Sequence, residues 1–184
     1  MTVDSPKFSG AVLAGGRSSR FGQDNALYVY NGKPLAGWAL ESLAGADERF
    51  LVSSRPYDLG VPVYPDLYPG SSLGGLHAAL VHAANNWVAV AACDMPFLTA
   101  DYWQRLFAHT EGVQAVVVRG PDGKLEPLAA LYRETLLPLA EAQLETGTFK
   151  LQTLLKTAQT RIVLWETLGV DAQTFVNANR LTDL

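Results

Sequence analysis

The stretch Leu13-Ala14-Gly15-Gly16-Arg17-Ser18-Ser19-Arg20-Phe21-Gly22 places paired glycines beside two arginines. Glycine lets the backbone approach a ligand closely and turn its N–H groups toward an anion. Arg17 and Arg20 can add charge-assisted hydrogen bonds to phosphate. An ordinary glycine turn beside solvated arginines has the same letters. The stretch is neither a P-loop, which ends in Gly-Lys-Ser/Thr, nor the dinucleotide fingerprint Gly-x-Gly-x-x-Gly. A second group is Cys93-Asp94-Met95-Pro96, directly after the apolar run WVAVAA. A carboxylate there, Asp94, suits Mg²⁺, which takes one or two carboxylates together with substrate phosphates and water. A loop or helix-capping aspartate fits the same position. Asp66 precedes YPGSSLGGL at 68–76, whose glycines could admit a flat base while Asp66 accepts from base or ribose donors. Read alone, this is also an ordinary loop leading into a helix. His77, His82 and His109 show no ligand spacing, and His77 and His82 are expected on helix surfaces or edges. The four tryptophans read as core or pocket walls.

Such groups need a frame that brings strand ends together. Apolar segments alternate with helix-like ones, which predicts an α/β fold with a largely parallel sheet. Residues 10–14 read as the end of a buried first strand, 50–53 as a second and 61–64 as a third. Residues 87–92 form a continuous apolar run, the pattern of a strand covered on both faces. In open α/β sheets, ligands bind beyond the carboxyl ends of the strands, which is where Asp94 falls. Helices are expected over 34–43, opened by Pro34, and over 73–84. Thr99 is a candidate N-cap for a helix ending near His109. Residues 113–118 and 125–132 read as strands joined through the turn Pro121-Asp122-Gly123. Residues 133–144 and 149–156 look helical, and 161–165 reads as a last strand. The tail at 175–184 carries too little pattern for an assignment.

The 184 residues suit one domain over 1–184, and 48% hydrophobic content is a globular value. A formal net charge of -4 disfavours non-specific binding to nucleic acid or anionic membrane, so neither is an expected partner. An anionic substrate must then be held by local devices. The single cysteine, Cys93, excludes an internal disulfide and a multi-cysteine metal site. The first six residues are polar without a signal-peptide pattern, and no apolar run reaches the length of a membrane span. The expected location is cytoplasmic.

LAGGRSSRFGQDNALYVYNGKPL at 13–35 resembles the signature of the molybdenum cofactor guanylyltransferase family, approximately LAGGxSxRMGxDKALLxxxGKPL. Asp66, LGGL at 73–76, CDMPFL at 93–98 and FVNANRLTDL at 175–184 follow in family order, so the resemblance spans nearly the whole chain. It implies a Rossmann-like α/β fold of the nucleotidyltransferase type, a mostly parallel sheet sandwiched by helices. It also implies transfer of GMP from GTP to molybdenum-molybdopterin, with release of pyrophosphate and Mg²⁺ as cofactor. The implied partners are GTP, the molybdenum-molybdopterin cofactor, and molybdenum cofactor insertion proteins or acceptor enzymes. Carried across, Leu13, Ala14, Gly15 and Gly16 would line the GTP phosphates, and Ser53 would lie where the family often has an Asn near the nucleotide. Asp66 would lie near guanine or ribose, and Asp94 would hold Mg²⁺. Asn177 and Asn179 would face the acceptor side or complete the metal surroundings.

Two positions depart from the family pattern. Phe21 replaces a Met, and Asn25 replaces a Lys expected to neutralise phosphate charge during transfer. Loss of one such contact costs about 10²–10³ in rate. Arg20 or Lys33 would then compensate, or the protein would be a slow or inactive, nucleotide-binding relative. Cytidylyl transfer to the same cofactor and sugar-phosphate nucleotidyl transfer are the alternative activities; the LGGL stretch looks more like the guanylyl version.

Overall fold

The computed structural model describes residues 6–15 and 24–178. Its strands are β1 (Ser9–Leu13), β2 (Val29–Tyr30), β3 (Lys33–Pro34), β4 (Glu48–Val52), β5 (Val63–Tyr64), β6 (Trp87–Ala92), β7 (Ala115–Arg119), β8 (Leu125–Arg133) and β9 (Thr160–Leu164). The α-helices are α1 (Leu35–Ser42), α2 (Ser72–His82), α3 (Ala100–Phe107), α4 (Leu137–Glu145), α5 (Leu151–Thr157) and α6 (Trp165–Leu168). Seven strands make one sheet in the order β5-β4-β1-β6-β8-β7-β9. β5, β4, β1 and β6 are mutually parallel, and β9 is parallel to β7. Only β8 runs against its neighbours, pairing antiparallel with both β6 and β7. The sheet is therefore largely parallel, as expected, with one reversed strand.

Burial on both faces explains the unbroken apolar runs. Val12, Ala89 and Ala91 pack on one face beneath Ala36, Ala39 and Leu43 of the α1 segment and Tyr102, Trp103 and Leu106 of α3. Ala11, Val88 and Val90 face the other way, toward Leu73 and Leu76 of α2, Ala140 and Leu144 of α4, and Leu151 and Leu154 of α5. Polar atoms taken into these layers find partners, as burial requires. The Tyr102 hydroxyl donates to the Ala129 carbonyl, and Trp103 Nε1 donates to Ser42 Oγ at 3.1 Å. Thr99 caps α3 by accepting from the Tyr102 N–H at 3.2 Å. Gly10 lies in a central strand because a Cβ there would sit 3.0 Å from the Cβ of Leu43, just past α1.

Several boundaries differ from the sequence reading. The third strand is only Val63–Tyr64; Pro62 has no N–H to donate to a ladder. The helix expected over 133–144 is split: Arg133 ends β8, Glu134–Leu136 forms a 3-10 turn, and α4 follows with a proline in its first turn. Trp165 opens α6 rather than closing β9. β2 and β3 form a small hairpin that the periodicity did not reveal. Its turn is Asn31-Gly32, both at positive φ (48° and 79°), a two-residue geometry that matches strand twist. His77 is buried rather than on a surface, edge-on to the Tyr68 ring, with Nε2 3.4 Å from Glu141 Oε1. Among the described residues, no helix is long and apolar enough to cross a membrane.

Candidate active site

After β1 the chain crosses to β4 and β5 on one side, then returns to β6 on the other. β1 and β6 therefore flank a switch point, where two crossovers diverge and leave a crevice. Register keeps the strand ends level: Leu13 is opposite both Val52 and Ala92, and Val52 is opposite Tyr64. The residues that follow each strand emerge at one edge. A cavity of about 920 Å³ opens there, lined by Leu13, Ala14, Gly15, Asn25, Ser53, Asp66 and Asp94 from the sequence reading. Asn177 does not line it, but the neighbouring Ala178 N–H donates to the Asp94 carbonyl at 2.7 Å. Gly16, Arg17, Arg20 and Asn179 lie outside the described residues. Lys33 is not among the residues that line the cavity: it pairs with Glu41, and its ammonium lies 4.3 Å from the Trp38 ring centre.

The strand-end ladder continues into the loops through Ala14 N–H to Val52 O (3.0 Å) and Cys93 N–H to Leu13 O (3.2 Å). A Cβ on Gly15 would meet nothing within 4 Å, so the backbone there is open to a ligand. Asp24 ties the surrounding segments together. One carboxylate oxygen accepts from the Ala26 N–H at 3.0 Å and caps a 3-10 turn at Asn25–Leu27. The other accepts from the Tyr57 hydroxyl at 2.6 Å and from Arg55 Nη1 at 3.1 Å. The Tyr57 hydroxyl also lies 3.4 Å from the Ala14 carbonyl oxygen. Burial, followed by the Asp24 carboxylate, pushes the Tyr57 phenol up to about 12, so it stays a donor. Ser53 Oγ accepts from the Arg55 N–H at 3.0 Å and shapes the turn after β4. Sequence reasoning missed Arg55 and Tyr57. The signal for Arg55 was present: it follows a strand end, the same position that drew notice to Asp94.

On the far side, Asp66 Oδ1 accepts from the Tyr68 N–H at 2.8 Å. Burial raises the Asp66 carboxyl, against the opposing pull of that N–H and of His77. Ser71 caps α2 by accepting from the Gly74 N–H at 2.9 Å, and Ser71 and Ser72 border the cavity. The positive end of the α2 dipole therefore meets the cavity, a setting favourable to anions. The glycines at 74 and 75 do not bare backbone for a base, as their sequence had suggested. A Cβ at Gly74 would run into the Tyr68 carbonyl and come within 2.8 Å of Asp66 Oδ1, and one at Gly75 would lie 2.9 Å from Leu13 Cδ1. Their space is filled by the loop and by β1.

Burial also raises the carboxyl of Asp94. Among the described residues, no Lys, Arg or His forms an ion pair with it. A desolvated carboxylate in an anion-sized cavity suits a hard cation that completes its shell with ligand oxygens. No group of three or more His, Cys, Asp or Glu side chains that could hold a metal occurs among the described residues. The Cys93 thiol, pushed up to about 12 by burial and then by Asp94 and Asp24, is neutral and a poor nucleophile. Glu126 on β8 is lifted to about 7 by burial, then by Asp122, with Asp94 contributing.

A mostly parallel sheet between two helical layers, with a cavity at its switch point, defines a Rossmann-like α/β protein whose cavity lies at its strand ends. The chain belongs to the family of the MobA-like NTP transferase domain, whose sequence model matches residues 10–162. It is 40% identical to a "probable molybdenum cofactor guanylyltransferase" of Deinococcus radiodurans, over 95% of this chain and 90% of that one. A protein of the same description from Pyrococcus furiosus is 34% identical, over 95% and 93% of the two chains. The crystal structure of molybdopterin-guanine dinucleotide biosynthesis protein A from Archaeoglobus fulgidus superposes with a TM-score of 0.78 at 27% identity, covering 92% of this chain and 91% of that one. The family is one of nucleotidyltransferases.

Proposed function

We propose that this protein transfers GMP from GTP to the molybdenum-molybdopterin cofactor, releasing pyrophosphate and forming the guanine dinucleotide. The observation that carries this reading is the convergence of the Leu13–Ala14–Gly15 backbone, Ser53, Asp66 and Asp94 on one cavity, in a chain whose relatives bear that name. The cavity volume, about 920 Å³, lies within the range of small-molecule clefts.

In this reaction a terminal phosphate oxygen of molybdopterin attacks the α-phosphorus of GTP. The bond from that phosphorus to the bridging oxygen of the β-phosphate breaks, and pyrophosphate leaves in line. The nucleophile is already anionic, so no general base is needed, and the protein's contribution is positioning and charge neutralisation. The backbone at Gly15 and the first turn of α2 hold phosphate oxygens. Asp66 accepts from guanine or ribose donors. Asp94 would hold Mg²⁺, which would supply Lewis-acid stabilisation to the phosphoryl oxygens. Asn177, next to Ala178, whose N–H donates to the Asp94 carbonyl, would face the acceptor side or complete the metal surroundings. Asn25 lines the cavity without a charge, so that position contributes hydrogen bonding only. Molybdenum cofactor insertion proteins or acceptor enzymes, met in the cytoplasm, are the partners this product implies.

The test is incubation of purified protein with GTP or CTP, Mg²⁺ and molybdenum-molybdopterin, with products identified by mass spectrometry. The expected product is the guanine dinucleotide, absent when Mg²⁺ is chelated. A cytosine product made in preference would establish cytidylyl transfer instead. Nucleotide binding with no product would establish a binding protein.

A further inference from the structure

The cavity presents an electrostatic problem. Among the described residues that line it, Asp24, Asp66 and Asp94 are acidic, and Arg55 is the one cation. A triphosphate brings roughly four more negative charges, and like charges at close range are strongly unfavourable unless offset. Lys33 does not line the cavity and is engaged with Glu41 and Trp38. We propose that Arg55 binds the triphosphate of the nucleotide substrate, bridging it to Asp24. This assignment rests on the nucleotide-transfer reading above and extends it to a residue that sequence reasoning passed over.

Geometry makes Arg55 suitable. Its backbone is fixed by the bond to Ser53 Oγ, whose residue is buried at the end of β4. Its guanidinium is aimed by Asp24, which is itself held by Tyr57 and by the Ala26 N–H. That pair uses Nη1, and the side chain is 64% exposed. A guanidinium carries five N–H donors in a rigid fork, so donors remain for phosphate oxygens while the Asp24 bond holds its direction. A cation fixed before the ligand arrives loses little freedom on binding. Asp24 immediately precedes the uncharged Asn25, so Arg55 brings its positive charge to the neighbourhood of that position.

The experiment measures dissociation constants for GTP, GMP and guanosine, each with Mg²⁺, in the parent, Arg55→Gln and Arg55→Lys. Glutamine keeps a donor for Asp24 but no charge; lysine keeps the charge. Arg55→Gln should weaken GTP about 10- to 100-fold, leave guanosine within about twofold, and affect GMP to an intermediate degree. Arg55→Lys should recover much of the GTP loss. Equal GTP affinity in the parent and Arg55→Gln overturns the assignment. So does an equal loss for GTP and guanosine, or rescue by glutamine as good as by lysine, since these mark a structural role. A parent that binds GTP through Arg55 but makes no dinucleotide keeps this assignment and removes the transfer reaction. A parent that binds none of the three ligands overturns both.

Discussion

Gly74, in the first turn of α2, packs so closely on the Tyr68 carbonyl that no side chain fits between them. The same hypothetical Cβ would lie 2.8 Å from Asp66 Oδ1. This contact seats the Asp66 loop on the helix whose N-terminus borders the cavity, so one glycine couples two walls of the site.

Gly74→Ala should therefore cost about 1–3 kcal/mol of stability, the usual range for overpacking, and displace the Asp66 loop. GTP affinity should fall with it. Gly75→Ala should cost less, because its added methyl meets the movable end of Leu13. Urea denaturation and GTP titration of both variants check this; equal effects would count against the coupling.

Asp94→Asn should remove Mg²⁺-dependent turnover by about 10²–10³ or more while the protein stays folded. The side chain keeps its size, and a buried charge is lost rather than created. The measurement pairs turnover with the melting-temperature rise produced by GTP and Mg²⁺, which the variant should largely lose. Undiminished turnover would remove Asp94 from the metal site.

Glu126 gives a pH-dependent prediction. Burial and Asp122 lift its carboxyl from 4.5 to about 7, so the folded state binds that proton more tightly than the unfolded chain. The stability linked to this proton is complete below about 4.5 and is lost as pH rises through about 7. Glu126→Gln behaves as the protonated form throughout. The variant's melting temperature should thus gain on the parent's as pH climbs from about 4.5 to about 7 and level off above that. A difference that is flat across this window would contradict the assignment.

Asn25→Lys restores a positive charge beside Asp24. With Arg55 already supplying one, kcat should rise by less than about tenfold; in an Arg55→Gln background the gain should approach about 10²-fold. Lys33→Ala should leave KM for GTP unchanged, since Lys33 serves Glu41 and Trp38. Steady-state kinetics on the single and double variants decide it, and equal gains in both backgrounds would mean that the two charges act independently.

The sequence by itself determined the features written in near neighbours. The run at 87–92 reads as a doubly covered strand because both faces are packed, and Thr99 caps its helix through a bond only three residues away. The meeting of Gly15, Ser53, Asp66 and Asp94 was legible indirectly, since parallel strands deliver their following residues to a common edge. Only the tertiary structure decided which residues meet across long stretches of chain. It inserted β8 between β6 and β7, buried His77 against Tyr68, filled the space at Gly74 with the Asp66 loop, and drew Lys33 away to Glu41. It also brought Arg55 to Asp24 across 31 positions. Periodicity, caps and turns are short-range effects, whereas such pairings depend on strand order, register and loop path, which no local pattern of residues encodes.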